Sequence, residues 1–304
     1  MGIAEPPRAP ELAVALSPKS REGAGGHPPS RAWRFGAYVV LIGYALLMFV
    51  PFAWTIVTSF KTQPDSVQLT WIPNPFSTIG WEHMFTELNP PIQVLFFNSL
   101  MIAVAVTFTN IALAGIAGYA FARLRFPGRE VLFLLVLGTL MMPDQLRMVP
   151  VYQILVILGL INNGPTNYVG LVLIMAAQAQ MIFLMRQYFI TIPPDLEEAA
   201  RIDGAGFIRT FVQVMLPLAS PAIAAVAILT FQGAWNNFFW PLIILQAQPH
   251  WTIPLALYQF HAQYNTDWPA LMAVVVVATA PILALYLFFQ RYFVEGIAAT
   301  GVKG

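Results

Sequence analysis

EAARIDGAGFIRTFVQVMLP, residues 198–217, is a polar interruption in a chain that is otherwise strongly apolar. Pro193 and Pro194 precede it, and proline suits a first helical turn. Asp195, Glu197 and Glu198 then place negative charge where a helix N-terminus favours it. Leu196, Ala199, Ala200 and Asp203 keep the i, i+3, i+4, i+7 spacing of one helix face. Gly204 and Gly206 permit a reversal, and Phe207, Phe211, Val214 and Leu218 form a second, apolar stripe that Pro217 ends. The stretch predicts a helix-turn-helix with a small-residue face at Ala199 and Ala200, which another backbone could approach closely.

Working outward, the setting is a membrane. Of the 304 residues, 58% are hydrophobic and only 10% charged, too few to coat a soluble globule of this size. Six apolar runs lie near 35–59, 94–121, 130–149, 167–188, 219–245 and 268–290, each near the roughly 20 residues that a helical span needs. The expected fold is therefore an all-α integral membrane protein with six transmembrane helices. The segment 149–161 is expected as a short helix along the outer face or re-entering, with an extension of span three as the open alternative. Residues 1–34 read as a disordered tail and not a signal peptide, because the first apolar run is too long for an h-region.

Charge orients the chain. With six spans, both termini share one side. That side holds Arg8, Lys19, Arg21, Arg31, Arg34, Arg123, Arg125, Arg129, Arg186, Arg201, Arg209, Arg291 and Lys303, 13 of the 15 Lys and Arg. Only Lys61 and Arg147 fall on the other. The positive-inside rule puts the crowded side, both termini and the 193–217 loop in the cytoplasm.

Several function classes drop out. No phosphate-binding Gly-x-x-x-x-Gly-Lys-Ser/Thr loop is present, so uphill transport would draw energy from elsewhere. The span middles lack the acidic or basic relay groups of ion-coupled carriers. No acid pair or catalytic residue suggests a membrane-embedded enzyme, which stays the least favoured reading. The four His show no metal-ligand spacing, there is no Cys, and a net charge of +1 gives no ground for nucleic-acid binding. No cofactor or metal is expected on this chain.

The spacing Glu198-Ala199-Ala200, Gly204, Val214, Leu216-Pro217 resembles the EAA signature of permease subunits of ATP-binding-cassette (ABC) importers. Only Val214 departs, standing where Ile is usual. Asn98-Ser99, the run Gly118-Tyr119-Ala120-Phe121-Ala122-Arg123-Leu124-Arg125-Phe126-Pro127-Gly128, Ile202-Asp203-Gly204-Ala205, Trp235-Asn236 and Gly301-Val302-Lys303-Gly304 are similar to the carbohydrate-uptake branch, the MalG-like permeases of maltose-type importers. The likeness covers about residues 36–304. It implies a type I importer permease in the bacterial cytoplasmic membrane, with a domain over 94–291 after a first helix and outer segment at 35–93, and a cytoplasmic tail at 292–304. It implies three partners besides membrane lipid: a second, MalF-like permease, an ABC ATPase dimer that binds the ATP and Mg, and an extracytoplasmic solute-binding protein. It assigns ATPase coupling to Glu198, Ala199, Ala200, Asp203, Gly204, Leu216 and Pro217.

The substrate path is read from the residues. Gln232, Trp235, Asn236 and Phe239 share one face of span five, and amides beside aromatics suit a sugar. The same amides equally serve as glue between helices, as do Asn98, Asn110, Gln178 and Gln180, and glue is the preferred reading. The absence of Lys or Arg inside the spans favours a neutral sugar, mono- or oligosaccharide. Glycerol 3-phosphate, a polyol or an amino sugar on the same machinery is the alternative.

Overall fold

The computed structural model describes residues 31–162, 164–262 and 266–301, all helical or irregular with no strand among them. Contacts divide the chain into residues 1–53 and 54–304. α1 (Arg31–Ser59) starts four residues inside the predicted tail, since nothing after Pro29 breaks a helix; residues 1–30 lie outside the described residues. Every residue from 31 to 51 is exposed, an apolar surface suited to lipid.

The larger unit is organised on α4 (Ile92–Arg123). Two short helices, α2 (Gln63–Ser66) and α3 (Ile79–Thr86), precede it. The buried residues of α4, among them Leu95, Asn98, Ser99, Ile102, Val106, Asn110, Ala114 and Gly118, recur at helical spacing as one continuous stripe. Around it stand α5 (Arg129–Gly138), α6 (Asp144–Ile157), α7 (Thr166–Met175), α8 (Ala179–Thr191), α9 (Asp195–Ile202), α10 (Phe207–Thr210), α11 (Leu216–Leu218), α12 (Ser220–Trp235), α13 (Phe239–Ile244), α14 (Ile253–Ala262) and α15 (Trp268–Gly301). Two apolar clusters fill the unit. One surrounds Ile102, Leu171, Trp240 and Ile253; the other surrounds Tyr119, Met185, Phe189, Met215 and Val226. In lipid, helix association rests on close packing more than on hydrophobic transfer. The burial of Gly115, Gly118, Ala222, Ala224 and Ala227 fits that rule, as their small size predicts.

Three helices are long and apolar enough to cross a membrane: α1, α4 and α15 over 268–290. Three bent pairs bring the total to as many as six among the described residues. α5 and its 3-10 extension to Met141 bend by 107° into α6, α7 bends by 48° into α8, and 207–218 bends by 76° into α12. The predicted third span, 130–149, therefore ends at Met141. Pro143 removes a backbone donor there and restricts Met142 to the extended conformation it adopts, ψ 112°. α6 is a separate arm, not a straight extension. Residues 292–301 continue α15 as helix. In the segment 246–267, α14 packs Ile253, Leu255 and Ala256 into the core, where the sequence suggests only loop.

Several interruptions are satisfied by side-chain amides, as backbone groups withdrawn from water require. Fully buried Asn110 donates to the Met175 carbonyl at 2.5 Å and accepts from the Gln178 N–H at 2.9 Å, bridging the gap between α7 and α8. Asn167 donates to the Ile244 carbonyl at the end of α13, and Asn237 accepts from the Trp240 N–H at its start. Near the start of α4, Asn98 donates to the carbonyls of Pro249 and Trp251, and Ser99 accepts from the Ile253 N–H. Asn98 and Asn110 are thus helix glue.

At the same end, Lys61 is fully buried, its Nζ donating to the Gln68 carbonyl and the Thr70 hydroxyl at 3.1 Å and lying 4.5 Å from the Trp54 ring centre. α3 packs on the start of α15: His83 Nδ1 lies 2.5 Å from Asp267 Oδ2, and Nε2 lies 3.6 Å from Glu87. These three residues offer ligand atoms within 4.8 Å of one another, a juxtaposition across 184 residues that no sequence spacing announces. Both ring nitrogens already face a carboxylate, so the group acts as a clamp. The hydrogen bond to Asp267 raises the His83 pKa above its ordinary 6.5; desolvation opposes the rise and Glu87 adds to it. A raised folded-state pKa contributes stability that is fully present below about 6.5 and is lost as pH climbs through the raised value. His83→Gln is therefore expected to flatten the fall in melting temperature between pH 6 and 9. Identical slopes for variant and wild type would rule the clamp out.

Candidate functional site

The 193–217 segment forms an outlying bracket. α9 carries Asp195, Glu197 and Glu198 in its first turn and Arg201 in its last, both placements favoured by the helix dipole. It ends in a Schellman turn. Gly204 N–H bonds to the Arg201 carbonyl and Ala205 N–H to the Ala200 carbonyl, with Gly204 at φ +78°. A Cβ at Gly204 would meet no atom within 4 Å.

The small-residue face divides in two. Ala200 and Glu197 turn inward and are buried, whereas Glu198, Ala199, Asp203 and Gly204 are exposed, with Ile202 86% exposed beside them. Only Ala199 of the alanine pair offers a smooth outward surface. Glu197, to which the sequence pattern assigns no contact, is the root of the bracket. Its Oε1 lies 3.0 Å from Arg123 Nε at the end of α4, and Arg123 also donates to the Ile192 carbonyl. Arg186 adds a second tie between elements: Nε donates to the Phe121 carbonyl at 3.3 Å, the guanidinium covers the Phe133 ring at 4.1 Å, and Nη2 lies 3.7 Å from Glu130 Oε2.

Beyond Gly206 the chain takes a π-helical turn, Phe211–Met215, before α11. A π turn takes one extra residue into the helical repeat, so the buried face after it falls on residues one position later in sequence. The predicted stripe is therefore displaced: Met215 and Ala219 are buried, while Leu218 is 42% exposed. Leu216 is half-buried and Pro217 exposed at the bend into α12.

The four span-five candidates separate. Trp235 is buried and donates its indole N–H to the Ala278 carbonyl at 3.0 Å; Phe239 packs half-buried on the core; Gln232 and Asn236 are exposed. One position later in sequence than Gln232, Asn236 and Phe239, the residues Gly233, Asn237 and Trp240 line a pocket of about 420 Å³. Asp144, Arg147, Gln178 and Gln180 complete its polar wall. Arg147 Nε donates to Asp144 Oδ1 at 2.8 Å, and Trp240 Nε1 donates to Asp144 Oδ2 at 3.2 Å.

Known proteins place this geometry. Residues 110–298 match the family model described as the binding-protein-dependent transport system inner membrane component. The chain is 34% identical to the arabinooligosaccharides transport system permease protein AraQ of Halalkalibacterium halodurans, covering 88% of this chain and 97% of that protein. It is 35% identical to the diacetylchitobiose uptake system permease protein NgcG of Streptomyces coelicolor, over 85% and 86% of the two chains. It is 33% identical to the sn-glycerol-3-phosphate transport system permease protein UgpE of Yersinia enterocolitica, over 85% and 93%. Among solved structures, a chain of a bacterial ABC transporter involved in import of the acidic polysaccharide alginate superposes with TM-score 0.75 at 25% identity, covering 88% of this chain and 99% of that one. With the family matched across most of the chain and the type I permease fold reproduced, this protein belongs to the inner membrane permease components of binding-protein-dependent ABC transport systems.

Proposed function

We propose that this chain is one of two permease subunits of an importer that carries a neutral mono- or oligosaccharide across the bacterial cytoplasmic membrane. In this reading each bent pair counts as one span, giving six, with both termini in the cytoplasm. The gathering of Arg123, Arg129, Arg186, Glu130 and Glu197 at one end of α4 supports a shared side for those loops. A second, MalF-like permease, an ABC ATPase dimer and an extracytoplasmic solute-binding protein complete the assembly, and ATP and Mg are bound by the ATPase.

The observation that carries the reading is the bracket: an exposed short helix, Asp195–Ile202, pinned at its root by Glu197 and presenting Glu198, Ala199, Asp203 and Gly204 to a partner. Docked in a cleft on the ATPase, such a rigid helix would pass cleft closure to α8 and α12, with Leu216 and Pro217 at the bend. The relatives AraQ and NgcG, named for oligosaccharide transport, support a sugar as cargo. UgpE supports glycerol 3-phosphate as the second reading, with a polyol or amino sugar behind it.

Gly204 tests the coupling. A Cβ there meets no atom within 4 Å, so Gly204→Asp is expected to cost the fold only the roughly 1–2 kcal/mol of a left-handed residue. In the assembled transporter it is nonetheless expected to abolish uptake and substrate-stimulated ATP hydrolysis. Gly159→Asp supplies the control: Gly159 closes α6 at φ +70°, also with open space around it, and lies outside the bracket. Equal activity of the two variants would refute ATPase docking at Gly204.

A further inference from the structure

The pocket at the helix breaks has no assigned role. Three interruptions converge on it: the turn at Met142–Asp144 between α5 and α6, the gap at 176–178 between α7 and α8, and the gap at 236–238 between α12 and α13. Polar side chains at the depth of apolar spans are costly unless they meet protein or water. Asn110 meets protein. Gln180 does not: it is exposed, beside Asp144 and Arg147, whose side chains remain 39% and 41% exposed. Gly233, exposed at the end of α12, leaves room beside them. A volume of about 420 Å³ falls within the ~300–1,000 Å³ typical of small-molecule sites.

The chemistry of the wall selects the ligand. Arg147 is held against Asp144, so the pair is neutral overall and its guanidinium is already engaged. An anionic group would have to compete with Asp144 for it, and would face the carboxylate. Hydroxyl groups suffer no such conflict. They can donate to the remaining lone pairs of Asp144 and accept from the free N–H groups of Arg147 and the amides of Gln178, Gln180 and Asn237. The Trp240 ring is only 1% exposed, so stacking on a sugar face contributes little and recognition rests on hydrogen bonds. We infer that this subunit contacts the cargo directly, at an aqueous site where Asp144, Arg147, Gln178, Gln180 and Asn237 bind the hydroxyls of a neutral glycosyl unit. This rests on the sugar-importer reading above.

The chain contains no cysteine, which makes the test clean. Gln180→Cys and Asn237→Cys would be introduced singly into the assembled transporter, with Leu134→Cys on α5, 64% exposed, as the apolar-surface control. A charged, membrane-impermeant methanethiosulfonate, supplied to both sides, reports water access. Labelled neutral mono- and oligosaccharides, with glycerol 3-phosphate alongside, report transport. The two pocket cysteines are expected to react at least tenfold faster than Leu134→Cys, and to be slowed severalfold by whichever sugar the wild type imports. Gln180→Ala is expected to raise the concentration for half-maximal uptake about tenfold, the loss of roughly one hydrogen bond. If wild type imports a sugar but the cysteines react no faster than the control, or that sugar does not slow them, this site is wrong and the importer reading stands. If wild type imports glycerol 3-phosphate and no neutral sugar, both are overturned.

Discussion

Truncation of Arg123 or of Glu197 to alanine is expected to destabilise the protein by about 3–5 kcal/mol, because either change leaves one buried charge without its partner. The side chains are 14% and 9% exposed, with Nε and Oε1 3.0 Å apart, and the guanidinium also holds the Ile192 carbonyl just before the bracket. The loss should not be shared equally between the two chemistries. Replacing both residues together by apolar ones of similar size, Arg123→Met with Glu197→Leu, is expected to cost less than either single truncation, since the stranded charge then disappears. Melting curves of the assembled transporter over the four-member cycle measure this, and strictly additive losses would show that the pair is not coupled. Uptake should fall further than stability in the double variant, because α9 would be seated without its ion-pair root.

Gly118→Val is expected to prevent stable assembly. A Cβ at residue 118 would lie 2.6 Å from Met185 Cβ and 2.9 Å from the Arg186 backbone nitrogen. The second of these is main chain and cannot swing aside, so α4 and α8 must separate along their crossing. Even Gly118→Ala should cost about 1–3 kcal/mol, the usual effect of overpacking, with valine worse. Gly115→Ala, one turn away, is the control: its Cβ meets nothing nearer than Leu216 Cδ2 at 3.8 Å, so it should be near neutral. Detergent-extracted yield and melting temperature separate the two. Equal behaviour at 115 and 118 would mean that the helices do not cross this closely.

What the sequence makes legible is what local pattern encodes. The apolar run at 94–121 predicts α4, which spans Ile92–Arg123, because that run is long and carries no breaker. The reversal at Gly204 is legible because only a residue without Cβ adopts its φ cheaply. The features that escape a sequence reading depend on residues far apart in the chain. Nothing in Ala176-Ala177-Gln178 signals a break; it persists because Asn110, 65 residues before Met175, caps both of its ends. Pro143 is visible, but the sharp bend there is held by Trp240 reaching Asp144 across 96 residues. On span five the pattern cannot distinguish the face of Gln232, Asn236 and Phe239 from the neighbouring face of Gly233, Asn237 and Trp240. Their spacing is the same, and only the packing of Trp235 against Ala278 sets which one borders the pocket.

The π turn at Phe211–Met215 has a consequence for how this protein could diverge. One residue advances an α-helix by about 100°. Deleting Val212 or Gln213 would let the turn relax to an ordinary α-helix with the backbone still fully bonded. Because the wide turn takes up one extra residue in about the rotation of an α turn, that loss would leave the edge of α9 near its present azimuth to α12. A second residue lost there would find no wide turn to absorb it, and would swing an intact helix, Glu198 and Ala199 with it, about 100° round the axis.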